Sequence, residues 1–225
     1  MDGLSALQAA LVEAGLPGGM RRDHPIGALT TYRVGGPAAG FVRPADKGEL
    51  EAVAGAAAIA GVEVLVVGRG SNLLVADRGF AGLAVQLGTG FESVDVSGTS
   101  VTAGGATSLP VLARRTVVDG LAGFEWAVGV PGSIGGAVRM NAGGHGSDMS
   151  SVLVTATTLD LATGVVKVRP ADGLALGYRS SDISASEVVT STELRLTVGE
   201  RVVGEELLAG IVRWRRENQP GGQNS

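Results

Sequence analysis

The segment EVLVVGRGSNLL, residues 63–74, decides which dinucleotide-binding folds remain possible. It begins with β-branched residues and reaches a glycine at Gly68, a pattern typical of a buried parallel strand. Gly68 and Gly70 would begin a G-x-G-x-x-G fingerprint, but position 73 is Leu73 and no helical pattern follows. The segment therefore excludes a Rossmann fold. It predicts an irregular loop whose backbone N–H groups suit a dinucleotide pyrophosphate.

A second glycine-rich segment includes GVPGSIGG at 129–136 and NAGG at 141–144. A Walker A loop is excluded because neither of the two lysines, Lys47 and Lys167, lies near a glycine loop of that form. The G-x-S-x-G elbow of the α/β-hydrolases is also absent from the sequence. Two loops that each close with Ser or Asn favour ligand binding, while the alternative that the glycines only form tight turns stays open.

Apolar periodicity predicts the helices and strands outside these loops. The predicted helices are 4–14, 46–59, 108–118 and 204–218, and the predicted strands are 39–44, 63–68, 83–87, 91–98, 100–105, 152–161, 165–169 and 187–198. The first part of the chain thus gives strand, helix, strand, which is a small βαβ unit. The second half predicts a mostly antiparallel sheet with helices to one side, so the expected fold class is α+β.

Charged residues mark the ends of two predicted helices. Asp46 and Glu49 have the spacing of a capping box at the start of the alanine-rich helix. In the last helix we expect Glu205–Glu206 in the first turn and Arg215–Arg216 in the last turn, where the helix dipole favours those charges.

Composition and hydropathy narrow the class of protein. With 44% hydrophobic and 18% charged residues, the 225-residue chain is too apolar for disorder. It has no Cys and only two His, which excludes disulfides, thiolate sites and a three-histidine zinc site, so no metal is expected. The net charge of −4 argues against nucleic-acid binding. Without a signal-peptide pattern or an apolar 20-mer, we expect a cytoplasmic protein that does not insert into a membrane.

Several motifs of the chain follow one another in a characteristic order. They are TTYRVGGPA at 30–38, VVGRGSNLL at 66–74, GVPGSIGGAV at 129–138, MNAGGHG at 140–146 and YRSS at 178–181. Together they resemble the UDP-N-acetylenolpyruvoylglucosamine reductases, also called UDP-N-acetylmuramate dehydrogenases. The resemblance implies the FAD-binding fold of the vanillyl-alcohol oxidase and p-cresol methylhydroxylase type, with FAD between two α+β subdomains.

The resemblance also implies the reaction and its partners. In that family NADPH reduces FAD, and the reduced flavin delivers hydride to the enolpyruvyl group of a UDP-sugar. The product is UDP-N-acetylmuramate, a precursor of peptidoglycan in cell-wall synthesis. The chain is accordingly expected to be a flavoprotein oxidoreductase with FAD and NADPH as cofactors and a UDP-sugar as substrate, and its oligomeric state is left open.

Individual roles carry over only where the motifs match. The implied FAD contacts are Tyr32, Arg33, Gly68, Arg69, Gly70, Ser71, Asn72, Leu73, Gly129, Val130, Pro131, Gly132, Ser133, Gly135, Gly136, Asn141, Ala142 and Gly143. Tyr178 and Arg179 are the implied substrate contacts, and Arg179 is the implied catalytic residue facing the substrate carboxylate. From the residues alone, a surface arginine in a loop is the favoured interpretation of Arg179. His145 is expected in a loop near the flavin edge or solvent, and Phe124 and Trp126 are expected to serve packing.

The resemblance divides the chain into three parts. Residues 1–88 and 89–200 would be the two FAD-binding subdomains, and residues 201–225 would begin a C-terminal substrate-binding domain. The family's Q-P-x(n)-[AS]-G-S-x-F motif, which carries an acid serine, would start at Gln219 and place that serine past Ser225. We therefore expect a C-terminally truncated chain that binds FAD at best weakly and does not complete turnover.

Two alternatives stay open on the sequence. One is an FAD-dependent oxidase of the same fold, although such enzymes often tether flavin through His or Cys, which the first loop lacks. The other is a non-catalytic flavin- or nucleotide-binding module that keeps its glycine loops for folding only.

Overall fold

The structure is a computed structural model that describes residues 3–16 and 19–219. The chain forms two compact units, each assembled from separate stretches of sequence. The first unit comprises residues 1–91, 158–167 and 183–188, and the second comprises residues 92–157, 168–182 and 189–225. The three predicted domains stay a prediction, and the predicted motif after Gln219 lies outside the described residues.

The first unit contains a four-stranded sheet with the order β1-β2-β4-β3. Its elements are α1 (Gly3–Glu13), β1 (Arg21–His24), β2 (Ala38–Val42), α2 (Lys47–Ala60), β3 (Val64–Val66) and β4 (Phe80–Val85). Strands β2, β4 and β3 run parallel, whereas β1 pairs with β2 antiparallel. The predicted strand, helix, strand order is present, but β4 lies between β2 and β3. The sequence did not predict β1, because this edge strand is polar and largely exposed.

Helix α2 begins where the capping box predicts. The Asp46 carboxylate accepts a hydrogen bond from the Glu49 N–H at 3.0 Å, and the Glu49 carboxylate accepts one from the Ala45 N–H at 2.7 Å. Gly61, in the left-handed conformation at φ 61°, ends the helix. A side-chain cap of this kind stabilises a helix by about 1 kcal/mol.

A buried cluster holds the end of β3 in place. Phe41, Val67 and Ala84 pack together with Ile26 and Val75, and all five are at most 8% exposed. The Val67 N–H also donates to the Val85 carbonyl at 2.8 Å. The residue that precedes the first glycine loop is therefore fixed by both packing and hydrogen bonding.

The remaining elements belong wholly or mainly to the second unit. They are β5 (Val94–Ser97), β6 (Ser100–Gly104), α3 (Leu109–Val118), β7 (Leu121–Ala122), α4 (Ile134–Arg139), β8 (Gly143–Gly144), β9 (Ser147–Asp148), β10 (Leu153–Asp160), β11 (Val166–Pro170), β12 (Glu187–Arg195), β13 (Thr197–Val198) and α5 (Arg201–Asn218). A five-stranded sheet has the order β11-β10-β12-β6-β5, and β13 pairs with β7 and β8 with β9. Strand β6 pairs antiparallel with both β5 and β12, as predicted.

Several predicted boundaries differ from the structure. The predicted strand 187–198 breaks at Leu196, after which β13 leaves the sheet to pair with β7. The prediction that Glu205–Glu206 occupy the first turn of the last helix is wrong, because α5 begins at Arg201. Arg201 instead pairs with Glu205 one turn later at 2.7 Å, whereas the basic Arg215–Arg216 in the last turn are confirmed.

Close packing fixes α5 on α3. A Cβ on Gly204 would lie 2.8 Å from Val117 Cγ1, so only glycine allows this approach without a shift. Phe124 and Trp126 are 1% and 3% exposed and pack edge to face, which confirms their predicted packing role. No helix within residues 3–16 and 19–219 is long and apolar enough to cross a membrane.

Candidate functional site

The first glycine loop, residues 68–72, is an irregular turn that directly follows β3. At the first position of the loop, the Gln86 side-chain amide donates to the Gly68 carbonyl at 2.8 Å. The N–H groups of Gly68, Arg69, Gly70 and Asn72 donate to no atom of the described chain. A run of amides without internal acceptors is the arrangement that binds anions.

Gly70 shows why this loop needs glycine. Its φ is 68°, and a Cβ there would lie 2.1 Å from the Leu29 carbonyl oxygen. The Thr31 N–H donates to the Gly70 carbonyl at 3.1 Å, so the segment around residue 30 lies directly against the loop. Glycine at this position therefore serves the protein's own backbone contact, and the loop's shape is set before any ligand arrives.

This contact brings two predicted groups of residues together. Tyr32, 45% exposed, and Arg33, with a left-handed φ of 54°, follow Thr31 along the chain. The Thr30 hydroxyl accepts a hydrogen bond from the Arg33 N–H at 3.0 Å and fixes this turn. The first unit thus places Tyr32 and Arg33 beside the loop.

The side chains of the first loop divide between surface and interior. Arg69 and Asn72 are exposed, and neither side chain has a hydrogen-bond partner in the described part of the chain. Leu73, predicted as an FAD contact, is half-buried and packs against the core cluster below. The unbonded side chains of Arg69 and Asn72 could donate hydrogen bonds to the oxygens of a pyrophosphate, while the packing of Leu73 fixes the loop.

The second glycine loop begins at residues 129–136 and is tied into the second unit. The N–H groups of Ile134 and Gly135 donate to the carbonyls of Thr107 and Gly105, each at 2.9 Å. The Gly132 carbonyl accepts from the Leu109 N–H at 3.1 Å. Among the described residues, the N–H groups of Gly132, Ser133 and Gly136 are left without an acceptor in the chain.

The predicted FAD contacts therefore differ widely in exposure. Tyr32, Arg33, Gly68, Arg69, Asn72, Pro131 and Gly136 are exposed, Ser71, Leu73, Val130, Gly132, Gly135 and Gly143 are half-buried, and Gly70, Gly129, Ser133, Asn141 and Ala142 are buried. Gly129 faces α5, where a Cβ would lie 2.9 Å from Ile211 Cγ2. All of these roles stay predictions.

A short hairpin follows α4. Strands β8 and β9 are joined by His145 and Gly146, whose φ angles of 53° and 85° are those of a type I′ turn. The exposed His145 ring meets Trp214 of α5 edge to face, with 5.2 Å between centroids. His145 is thus a loop histidine at the surface.

Asn141 is the most heavily bonded of the predicted site residues. Its Nδ2 donates to the Asp148 carboxylate at 3.2 Å and to the Gly177 carbonyl at 3.1 Å. Its Oδ1 accepts from the Ser150 N–H at 2.9 Å. Asn141 is 6% exposed and has a φ of 37°. Its amide thus joins the end of α4 to the segment that carries Tyr178.

Tyr178 and Arg179 occupy the tip of a tight turn. Gly177 and Ser180 exchange backbone hydrogen bonds at 3.1 and 3.3 Å around them. Tyr178 is 93% exposed, and Arg179 has a φ of 55°, as the third residue of a type II turn requires. The Arg179 guanidinium has no partner within the described residues, so it is available to an anionic ligand.

Three of the predicted site residues have a left-handed backbone conformation. Non-glycine residues rarely adopt positive φ, because Cβ crowds the backbone. Arg33, Asn141 and Arg179 do so, as do the neighbouring His145 and Ala175. Strained residues that persist in a fold tend to mark functional positions.

The sequence missed the polar residues that hold the site in shape. Gln86, Thr30, Asp148 and Ser150 each bond to a predicted site segment, but isolated polar residues carry no spacing signal. Asp148 and Ser150 could have been suspected only from their nearness to Asn141 in sequence.

One histidine of the first unit has a shifted pKa. Burial lowers the pKa of His24, and the positive charge of Arg21 lowers it further. The His24 ring stacks on Phe41 with 4.1 Å between centroids.

The described residues contain no cluster of three or more His, Asp or Glu that could hold a metal ion.

Sequence comparison relates this chain to one group of enzymes. The profile described as FAD binding domain matches residues 38–169. The UDP-N-acetylenolpyruvoylglucosamine reductase of Paramagnetospirillum magneticum is 42% identical over 204 residues, or 90% of this chain and 66% of that protein. Its counterpart in Azorhizobium caulinodans is 37% identical over 97% of this chain and 70% of that protein. The chain therefore spans about two thirds of the length of these relatives.

Structural comparison agrees with the sequence. The crystal structure of UDP-N-acetylenolpyruvylglucosamine reductase (MurB) from Thermus caldophilus matches with a TM-score of 0.78 and 31% identity, over 89% of this chain and 71% of that chain. A BBE-like protein of Physcomitrella patens matches with a TM-score of 0.60 at 18% identity, over 85% of this chain and 44% of that chain, which shows the fold alone. The expected α+β FAD-binding fold of the vanillyl-alcohol oxidase type is confirmed.

Proposed function

Because the chain belongs to the FAD-binding UDP-N-acetylenolpyruvoylglucosamine reductase family, we propose that it carries the flavin part of that reaction in peptidoglycan synthesis. The proposed substrate is UDP-N-acetylenolpyruvylglucosamine, whose enolpyruvyl group is reduced to give UDP-N-acetylmuramate. NADPH is the proposed electron donor. The cytoplasmic location expected from the sequence stays a prediction.

The run of unpaired amides in the first glycine loop is the observation that carries this proposal. Gly68, Arg69, Gly70 and Asn72 offer backbone donors without acceptors in the described chain, in a loop whose shape is already fixed by its contact with Leu29. Such donors would hold the FAD pyrophosphate without a rearrangement of the backbone. Arg69 adds a charge that favours the same anion.

FAD, when bound, supplies the hydride-transfer chemistry between NADPH and the substrate. The chain's own part is to bind and orient the reactants. Arg179 would hold the substrate carboxylate through its guanidinium, which matches a carboxylate in two parallel hydrogen bonds. Addition of hydride to one alkene carbon places negative charge on the other, and this charge delocalises into the carboxylate. A fixed guanidinium stabilises that developing charge.

Two measurements test the proposal in sequence. FAD is first titrated into the purified chain and followed by flavin fluorescence, and we expect saturable binding with a stoichiometry of one. The affinity for UDP-N-acetylenolpyruvylglucosamine is then measured from the change in flavin absorbance. We expect Arg179→Lys to weaken it and the control Arg195→Lys, at an exposed arginine of β12, to leave it unchanged. A chain that binds no FAD would reject the proposal and favour the non-catalytic alternative.

The expectation that this chain alone does not complete turnover stays a prediction. An assay of NADPH oxidation addresses it, because oxidation that depends on UDP-N-acetylenolpyruvylglucosamine and reaches an ordinary enzymatic rate would contradict it. The oxidase alternative gains no support from the structures that share only the fold. Oxygen consumption with simple alcohols or sugars, in place of NADPH oxidation, would be the result in its favour.

A further inference from the structure

Asn141 sits where the second glycine loop meets the turn that carries Tyr178 and Arg179. The Gly177 carbonyl, at the base of this turn, accepts from Asn141 Nδ2 at 3.1 Å. The turn's other tie to α4 is the Ser181 hydroxyl, which donates to the Arg139 carbonyl at 2.7 Å. Both ties begin at the same end of α4, so the turn is fixed to that helix on either side of its tip.

The hydrogen-bonding capacity of the Asn141 amide is committed to the protein. Its two Nδ2 hydrogens serve Asp148 and Gly177, and its Oδ1 serves the Ser150 N–H. At 6% exposure, the side chain has little surface left for a ligand. The resemblance implied that Asn141 contacts FAD, whereas its hydrogen bonds indicate that it stabilises the Tyr178–Arg179 turn.

Asparagine is well suited to this structural role. Asn tolerates the left-handed φ of 37° better than most side chains and combines two donors with one acceptor. Asp would keep the size and the acceptor but would lose both donors and would face the Asp148 carboxylate. Asn141→Asp is therefore a nearly isosteric change that removes the bond to Gly177.

We propose that Asn141 is a positioning residue, which holds the Tyr178–Arg179 turn so that the Arg179 guanidinium is presented in one place. The left-handed Arg179 makes the turn costly on its own, so it needs an external tie. The role toward substrate rests on the proposed function, whereas the tie itself does not.

Trypsin tests the tie without any ligand, because it cleaves after the exposed Arg179. Cleavage of a native loop follows the population of its locally opened form. We expect Asn141→Asp to speed cleavage after Arg179 about tenfold, as the loss of one or two hydrogen bonds implies. The matched control Asp148→Asn keeps the bond to Gly177, and we expect it to leave the rate unchanged. Cleavage after Arg115, within helix α3 of the same unit, reports general unfolding.

Two proteolysis results would overturn the proposal. One is an unchanged rate after Arg179 in the Asn141→Asp variant. The other is an equal acceleration after Arg115 and Arg179, since that would mean general destabilisation and not release of one turn.

Binding tests the consequence for substrate. With FAD bound, UDP-N-acetylenolpyruvylglucosamine is titrated against wild type, Asn141→Asp, Arg179→Ala and the double variant, and flavin absorbance reports its affinity. We expect Asn141→Asp to weaken this affinity about tenfold while FAD affinity stays unchanged, and to have no further effect once Arg179 is removed. Additive losses would contradict positioning through Arg179. If wild type binds no UDP-sugar, the proposed function fails, and the trypsin result still decides whether Asn141 holds the turn.

Discussion

The glycine loop at 68–72 leaves most of its N–H groups without an acceptor in the described chain, whereas the glycine-rich segment 129–146, which contains α4 and β8, donates most of its own to the protein. Asn72 and Asn141 repeat the contrast at the level of side chains, since Asn72 is exposed without a partner and Asn141 is buried with three hydrogen bonds. Glycine content alone therefore does not tell whether a loop serves a ligand or the fold. Whether the loop's backbone N–H groups already have acceptors within the protein does distinguish the two.

The largest effect should come from adding a methyl group at Gly70. Gly70→Ala combines a left-handed φ with a Cβ placed 2.1 Å from the Leu29 carbonyl, so we expect a loss of about 3 kcal/mol or more in the free energy of unfolding. Gly61→Ala, in the same unit at φ 61° with open space around it, is the control and should cost only about 1 to 2 kcal/mol. Urea denaturation measures both variants. Equal losses would mean that the backbone contact at Gly70 contributes nothing.

The two asparagines provide a second, smaller test. Asn141→Ala removes three hydrogen bonds of a buried side chain and should lower the free energy of unfolding by about 2 to 4 kcal/mol. Asn72→Ala should change stability by less than about 0.5 kcal/mol but weaken FAD binding several-fold. Denaturation and FAD titration on both variants separate these effects. If Asn72→Ala destabilises the fold as much as Asn141→Ala does, the two asparagines do not differ in their structural roles.

The sequence predicted features that depend on local pattern. The capping box of α2 and the parallel strand before Gly68 follow from residue type and spacing, and the structure has them. Strand β1 was not predicted because its residues are polar and exposed, and an edge strand needs only backbone pairing. The start of α5 at Arg201 was not predicted because Glu200 makes no side-chain cap, so no local signal marks that end of the helix.

The motifs could indicate which segments carry the candidate site residues, but not the hydrogen bonds that these residues make. Gly70, Asn141 and Arg179 all have positive φ, and their roles toward ligands stay predictions. What each residue bonds to depends on segments far away in sequence, as with Asn141 and Gly177, thirty-six positions apart. Chain pattern carries no information about such contacts.

The smallest predicted effect is a pH dependence in the first unit. Because the pKa of His24 is lowered in the folded state, the unfolded chain binds a proton more readily. Stability should therefore fall as pH drops below the unfolded value of about 6.5 and level off below the folded pKa. His24→Gln should remove this part of the pH dependence, and Arg21→Gln should reduce it, as thermal unfolding between pH 8 and pH 5 would show. An unchanged pH profile in His24→Gln would contradict the assignment.

Hydrogen exchange with and without FAD tests the central contrast most directly. We predict that the amides of Arg69, Gly70 and Asn72 exchange rapidly in the free chain and slow markedly when FAD is added. The amides of Ile134 and Gly135, already bonded within the protein, should be protected in both states. The account would be contradicted if FAD binds tightly and leaves exchange at residues 69–72 unchanged.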